Sequence, residues 1–309
     1  MEVGYLHLYR NGELTRRVDV LYKILENCTL CPRECRRNRL KGERGWCRMG
    51  KELIVSAIHP HFGEEPELVG NKMVGLLTGK GGSGTIFLAG CNLLCVFCQN
   101  WEISHLCQGK KMSPEELAEG MIYLQEKGCY NINFVTPTHF VPQIVKAVEE
   151  AARKGLNLPL VYNCGGYEKV ETLKLLEGIF DIYMPDIKYS NSDVAGKYSG
   201  APDYFEVAKK ALKEMHRQVG DLKIDKNGIA YRGVLVRHLV LPNDLSGSKD
   251  ILKFIAEQIS KETYVNIMDQ YHPEYKALEF EELNRRITLS EYEKVMNIAR
   301  KFGLHRGFD

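Results

Sequence analysis

The chain has 309 residues, 44% hydrophobic and 27% charged, with a formal net charge of +2. That length suits one large α/β domain with a small appendage, and the balanced charge argues against a polyanion-binding surface. No apolar run approaches the roughly 18 residues needed to cross a bilayer, and the N-terminus lacks the basic and apolar regions of a signal peptide. A cytoplasmic protein is expected, with no membrane partner and no nucleic acid.

Ten cysteines stand out, and seven of them fall in two groups. In a reducing compartment, clustered cysteines point to metal ligands or catalytic thiols rather than disulfides. Residues 1–52 read as a cysteine-rich N-terminal extension holding the first group, Cys28, Cys31, Cys35 and Cys47, with the spacing C-x2-C-x3-C-x11-C. Four thiolates at this spacing fit either a second iron–sulfur cluster or a closed tetrahedral zinc site. No periodic apolar face covers Cys28 to Gly50, so a metal is expected to supply the order that packing does not. Six Arg and two Lys stand against three Glu between Cys28 and Glu52. Such a run predicts a solvated face, with docking of an acidic partner or RNA as the second reading.

Residues 53–83 read as a connecting segment and loop. Gly79-Lys80-Gly81-Gly82-Ser83-Gly84 matches G-x-G-x-x-G, yet it precedes a strand instead of following one, so a flexible loop near the second cysteine group is expected rather than a nucleotide site. His59, His61, Glu64 and Glu65 before the core, and Asp269, Tyr271 and His272 near the end, read as structural or exposed residues, with a pocket lining as the other reading.

Residues 84–309 alternate strand and helix signals. Thr85–Ala89 predicts a buried strand. Ser113-Pro114-Glu115-Glu116 predicts a capped helix start, with Ser as N-cap and Glu closing a capping box, and the helix runs to Gly128. Strands are predicted at 131–135, 158–162, 180–184, 234–241 and 264–268, and helices at 141–154, 168–176, 204–218, 249–260 and 290–302. Asp225-Lys226-Asn227-Gly228 carries a hairpin turn signal. About six strands, each followed by a helix, imply a parallel sheet curling into a partial (β/α)6 barrel of the α/β class, with active residues at the carboxyl ends of the strands.

The second cysteine group follows the first of these strands. Cys91, Cys95 and Cys98 have the spacing C-x3-C-x2-C, with Phe97 before the last. Three thiolates so close fit one face of a [4Fe–4S] cube, and a missing fourth ligand leaves one iron open to chemistry. Structural zinc closes with four ligands instead. The triad resembles the signature of the radical SAM superfamily. The resemblance implies that the open iron chelates S-adenosylmethionine (SAM), that one electron cleaves SAM to a 5′-deoxyadenosyl radical, and that Phe97 lies against the adenine. Gly90-Cys91-Asn92 with Phe97-Cys98-Gln99-Asn100, and Met184-Pro185-Asp186-Ile187-Lys188 downstream, resemble the pyruvate formate-lyase activating enzyme family. Cys28-Thr29-Leu30-Cys31-Pro32-Arg33 and Gly42-Glu43-Arg44-Gly45-Trp46-Cys47 resemble the N-terminal extension of an uncharacterised branch of that family.

By this resemblance Asp186 and Lys188 help to hold SAM, and Met184 lies near a bound monovalent cation. The stretch Val135-Thr136-Pro137-Thr138-His139 replaces the usual Gly-Gly-Glu run, leaving Thr136 and Thr138 as acceptors for the SAM ammonium. Tyr162-Asn163-Cys164-Gly165-Gly166 stands where the activating enzymes resemble Asp-Thr-Asn-Gly, which brings Asn163 to the site. The resemblance further implies an electron donor such as a ferredoxin or flavodoxin, and a glycine Cα–H of a protein partner as substrate. Radical modification of a small molecule, peptide or RNA is the second reading, and a non-enzymatic electron-transfer or sensor protein the third. No catalytic side chain is assigned.

Overall fold

The computed structural model describes residues 3–308 and begins with two helices, α1 (Gly4–Arg10) and α2 (Glu13–Ile24), ahead of the first cysteine group. Helix α2 buries Leu14, Val18 and Leu21, one stripe at helical spacing. Strand β1 (Leu53–His61) follows, then two short helices, α3 (Pro66–Val69) and α4 (Lys72–Thr78), and strand β2 (Ser83–Leu88). β1 pairs antiparallel with β2, and β3 (Lys110–Met112) pairs antiparallel with β1. The segment read as connection and loop therefore contributes a nine-residue strand to the sheet. The short helix α5 (Trp101–Ser104) lies between β2 and β3.

Helix α6 (Pro114–Glu126) starts as its sequence predicts: Ser113 Oγ accepts from the Glu116 amide (3.2 Å), while the Glu116 carboxylate accepts from the Ser113 amide (2.7 Å). Strands and helices then alternate: β4 (Ile132–Val135), α7 (Val141–Arg153), β5 (Leu160–Cys164), α8 (Val170–Leu175), β6 (Ile182–Pro185), α9 (Ser192–Ser199) and α10 (Tyr204–Val219). The hairpin at 225–228 joins β7 (Lys223–Ile224) to β8 (Ala230–Leu239), followed by α11 (Ser248–Gln258), β9 (Tyr264–Met268) and α12 (Leu289–Lys301).

Six strands run parallel in the order β2-β4-β5-β6-β8-β9 within a mixed sheet. This is the α/β arrangement that the alternating pattern predicts, with antiparallel strands added at its margins. The N-terminal helices brace it from outside: α2 packs on α7, Tyr5 OH donates to the Leu158 carbonyl (3.1 Å), and Arg17 Nη1 donates to the Leu175 carbonyl (3.0 Å).

Between first and last parallel strands, the residues after β1 form a strap. Asn266 of β9 donates to Glu65 (2.8 Å), and Tyr264 OH donates to Glu67 (2.7 Å). The glycine loop at 79–84 enters β2 at its amino end, where Gly84 is aligned with Ile132. The cysteine triad leaves the carboxyl end of the same strand, roughly 15–20 Å away at the rise of an extended chain. The expected nearness of that loop to the triad is thus overturned.

Candidate functional site

Past β2 the chain turns at Gly90 (φ 80°), and Cys91, Cys95 and Cys98 follow on a loop in which Leu94 is also left-handed (φ 56°). Each sulfur has a donor. The Leu93 amide points at Cys91 Sγ (3.3 Å), Ser199 Oγ at Cys95 Sγ (2.9 Å) and Ser104 Oγ at Cys98 Sγ (3.2 Å). Burial pushes the Cys91 thiol up to about 12 and raises Cys98 as well. Donors aimed at sulfur favour the thiolate that ligation requires. Among the described residues, no three His, Cys, Asp or Glu side chains gather closely enough to hold a single metal ion. Ligands of a four-iron cluster each bind a different iron. The donor set of the triad fits such a group.

The three cysteines face a cavity of about 390 Å³ at the carboxyl ends of the strands. Phe97, Thr136, Asn163, Asp186 and Lys188 line it too, so most of the sequence-predicted site residues converge. Phe97 is buried edge-to-face against Tyr189 and Tyr271, at 6.1 and 6.0 Å between ring centroids. Thr136 is held left-handed (φ 60°), and its amide donates to the Asn163 carbonyl (2.8 Å).

A charge network forms the polar wall. Lys188 Nζ lies 2.6 Å from Asp186 Oδ2, and Arg237 Nε lies 2.8 Å from Asp186 Oδ1. Arg237 also donates to Asn163 Oδ1 (2.8 Å) and approaches Glu64 Oε2 (3.3 Å). Burial alone would raise the Asp186 carboxyl, but Arg237 and Lys188 outweigh it and hold the group at about 2. Burial raises Glu64, with Arg237 pulling against it.

Arg237 was not assigned to this site from the sequence, and Glu64 only through the second reading of its group as a pocket lining. The signal for Arg237 was a lone charge inside the apolar run Gly233-Val234-Leu235-Val236-Arg237, because a charge buried in a strand requires a partner. His61 and Glu64 line the cavity, whereas Tyr271 packs behind Phe97 and donates to the Leu283 carbonyl (2.8 Å). Cys164 is buried at its edge.

Two predicted residues lie elsewhere. Met184 points into the apolar interior below the cavity, in one cluster with Val161, Ile182 and Leu235. It sits one inward-facing position before Asp186, and that step down the strand removes it from the site. Thr138 is turned away because residues 138–140 form a 3-10 turn. Its hydroxyl donates to Glu168 Oε1 (2.7 Å), and Tyr162 OH donates to Glu168 Oε2 (3.0 Å).

Glu168 is 2% exposed, and burial pushes its carboxyl up to about 7 despite these donors. The unfolded carboxyl ionises at its ordinary value, so this group's stability contribution is full below about pH 4.5 and is lost as pH rises through 7. That loss amounts to about 3 kcal/mol. Glu168→Gln is therefore expected to flatten the fall in stability between pH 5 and 8. Urea melts of both proteins across that range check it, and parallel slopes would count against it.

The first cysteine group sits directly behind the triad. Cys35 and Cys47 both come near Gly45, where a Cβ would lie 2.7 Å and 3.8 Å from their sulfurs. Cys28 and Cys31 are buried in the same loop, whose turns place Glu34, Arg36 and Arg48 at positive φ. The expectation of a solvated arginine face fails for Arg33, which is half-buried, and for Arg39, whereas Arg48 stays exposed with its guanidinium anchored to the protein. Arg33 Nε donates to the Asn92 carbonyl (2.8 Å) and Nη2 to the Ser199 carbonyl (2.8 Å), and its guanidinium lies 4.3 Å from the Trp46 ring centre. Arg39 is fully buried and donates to the carbonyls of Gly50 (2.9 Å) and His139 (2.7 Å). His139 Nε2 in turn donates to the Ala89 carbonyl (2.7 Å). Arg48 donates to the His105 carbonyl, and His105 Nε2 donates to the Cys95 carbonyl (3.0 Å). A loop with no more regular structure than a 3-10 turn at Arg39–Lys41 leaves carbonyls unpaired, and the five-donor guanidinium fork satisfies several at once.

The sequence profile of the Radical SAM superfamily matches residues 85–255, from β2 through α11. The chain belongs to the radical SAM superfamily. Membership brings the general radical SAM reaction and the two cofactors of the superfamily, a [4Fe–4S] cluster and SAM. The chain is 35% identical over 308 residues to an uncharacterized protein of Methanocaldococcus jannaschii, MJ0674, covering 96% of this chain and 81% of that one. It is 23% identical to a pyruvate formate-lyase-activating enzyme of Clostridium pasteurianum, over 74% of this chain and 91% of that enzyme. In fold it is similar to a radical SAM methyltransferase from Sphaerobacter thermophilus (TM-score 0.50, 13% identity), over 73% of this radical SAM chain and 66% of the other. Among the described residues, no helix is long and apolar enough to cross a membrane.

Proposed function

We propose that Cys91, Cys95 and Cys98 hold the radical SAM cluster, that SAM occupies the adjoining cavity, and that the radical abstracts hydrogen from a glycine Cα of a partner protein. One observation carries this reading: the triad and the Asp186–Lys188–Arg237 network face each other across a single cavity. What the bound cofactor pair supplies is one-electron cleavage of SAM to a 5′-deoxyadenosyl radical and methionine. The chain's own residues bind and orient SAM. Lys188, with three ammonium donors, suits a carboxylate, and Asp186, fully ionised, accepts from hydroxyls or an ammonium. Thr136 and Asn163 offer neutral oxygens on the neighbouring strand ends, and Phe97 gives an apolar face for the adenine. A protein substrate is favoured by the similarity to an activating enzyme over 91% of that enzyme's length. A ferredoxin or flavodoxin would deliver the electron.

The same reading assigns Cys28, Cys31, Cys35 and Cys47 a second centre, an iron–sulfur cluster in preference to zinc, because among the described residues no three of these side chains gather on the one point that a zinc ion needs. Anaerobic incubation with dithionite and SAM is expected to yield 5′-deoxyadenosine, and Cys91→Ala to abolish it. Cys28→Ala should lose one centre while keeping the other, seen by iron, sulfide and zinc analysis. A cluster-bearing sample that forms no 5′-deoxyadenosine would sink the reading in favour of an electron-transfer or sensor role.

A further inference from the structure

Beside the SAM cavity lies a second one of about 470 Å³, sharing Glu64, Arg237, Met268 and Gln270 with it. Its wall is the strap Glu64-Glu65-Pro66-Glu67 on one side and Tyr264 and Asn266 of β9 on the other. Three carboxylates thus face one guanidinium, and Arg237 stands closer to Asp186 (2.8 Å) than to Glu64 (3.3 Å). Glu65 is 6% exposed. Its Oε1 accepts from Asn266 Nδ2 (2.8 Å), while its Oε2, equally buried, has no hydrogen-bond partner among the described residues. Tyr264 OH ties Glu67 in the same manner, through Oε2 (2.7 Å).

A buried carboxylate oxygen without a donor is unfavourable. Here the chain's own amide and phenol each fix one acidic side chain to the cavity wall. Three carboxylates against a shared arginine leave an excess of negative charge, and a donor that also carries positive charge answers both needs at once. A single metal ion is the weaker match, since Asn266 and Tyr264 already occupy one oxygen of each acid and no three acidic side chains gather on one point among the described residues.

We infer that this second cavity is a substrate subsite for a cationic nitrogen, an ammonium or guanidinium, held by Glu65 with Glu64 and Glu67 around it. The inference rests on the reading of the neighbouring cavity as the SAM site, and it names the chemistry of the substrate that enters beside it. Two sources carry the same group: a lysine or arginine side chain of a peptide, and a free amine. A subsite so placed sets a cationic anchor a few ångströms from the cavity lined by the triad, and it selects substrates with a basic group near the bond to be attacked.

The test is calorimetric titration of the cluster-loaded protein with SAM present, under anaerobic conditions. The probes are a capped Gly-Lys-Gly-Arg-Gly peptide, the same peptide with norleucine at both basic positions, and agmatine. At least one cationic probe is expected to bind about 10-fold or more tightly than the norleucine peptide, and Glu65→Gln to remove about 10-fold of that affinity. Binding of the peptide alone identifies a macromolecular substrate, and binding of agmatine alone a small amine. Should Glu65→Gln fail to fold, Glu67→Gln at the partly exposed rim takes its place, with a smaller loss in the same direction. The subsite is overturned if neither cationic probe outbinds the neutral peptide, or if the variants bind as the parent does. The same preparation is assayed for 5′-deoxyadenosine. Its formation without selective cation binding overturns the subsite alone, whereas cation binding without it overturns the SAM reading and leaves the subsite standing.

Discussion

Arg237→Leu is expected to abolish SAM binding and to destabilise the fold by about 3–5 kcal/mol. The guanidinium bridges Asp186 (2.8 Å), Asn163 (2.8 Å) and Glu64 (3.3 Å). Its removal leaves Asp186 with Lys188 alone and Glu64 with no cation, both inside the cavity wall. An ion pair broken on one side costs far more than the intact pair contributes, because the stranded charge keeps its desolvation penalty. The Asp186 carboxyl, now held near 2 against the pull of burial, would rise. Calorimetric titration with SAM is expected to show at least a 100-fold loss of affinity, and denaturant melts the loss of stability. Arg237→Lys tests the geometry separately. An ammonium restores the charge but not the fork that reaches three partners, so it should recover stability in part and SAM binding less. Parent-like SAM affinity in Arg237→Leu would remove this network from the cofactor site.

Gly90→Ala is the second large effect, at about 3 kcal/mol. Gly90 is left-handed (φ 80°), which costs an L-residue about 1–2 kcal/mol. A Cβ there would also meet the Cys47 carbonyl oxygen at 2.6 Å and Met49 Cγ at 2.8 Å. The backbone carbonyl cannot swing aside as a long side chain can, so the loop must shift. Gly155 provides the control. It has a similar φ of 92°, but an added Cβ meets nothing within 4 Å. Gly155→Ala should show the conformational cost alone, and the excess in Gly90→Ala measures the clash. Because the obstructing atom belongs to Cys47, Gly90→Ala is expected to lower metal content at both cysteine groups. Equal melting temperatures for the two variants would show that the contact with Cys47 is loose.

Much of this architecture is legible in the sequence. The strand at 264–268 and the capped start of α6 fall where their patterns put them, because local chemistry alone decides both. Strand β1 is harder to read. Pro60 lies near its end, where the short β3 no longer pairs with it, and an unpaired edge is where a strand tolerates proline. At the site, the cysteines are carried by spacing within one short segment, and Asp186 and Lys188 by the family resemblance of another. Arg237 and Glu64 come from segments far apart in the chain, and nothing local announces that they meet. Thr138 misleads for the opposite reason: its position follows the right strand, but a tight turn after Thr136 reverses where its hydroxyl points.

Three anchored arginines of the first cysteine loop also bear on how this molecule is assembled. Arg33, Arg39 and Arg48 each end, directly or through one histidine, on a carbonyl of the segment from Ala89 to Cys95 or on the helix whose serine reaches Cys95. Neither loop has a regular hydrogen-bond ladder of its own, so each completes the other. Whatever orders residues 28–50 lowers the entropy that the triad loop has still to lose, and the reverse holds by the same linkage. Ordering is then shared between the two cysteine loops, so that whichever sets first makes the other easier to set without being required for it.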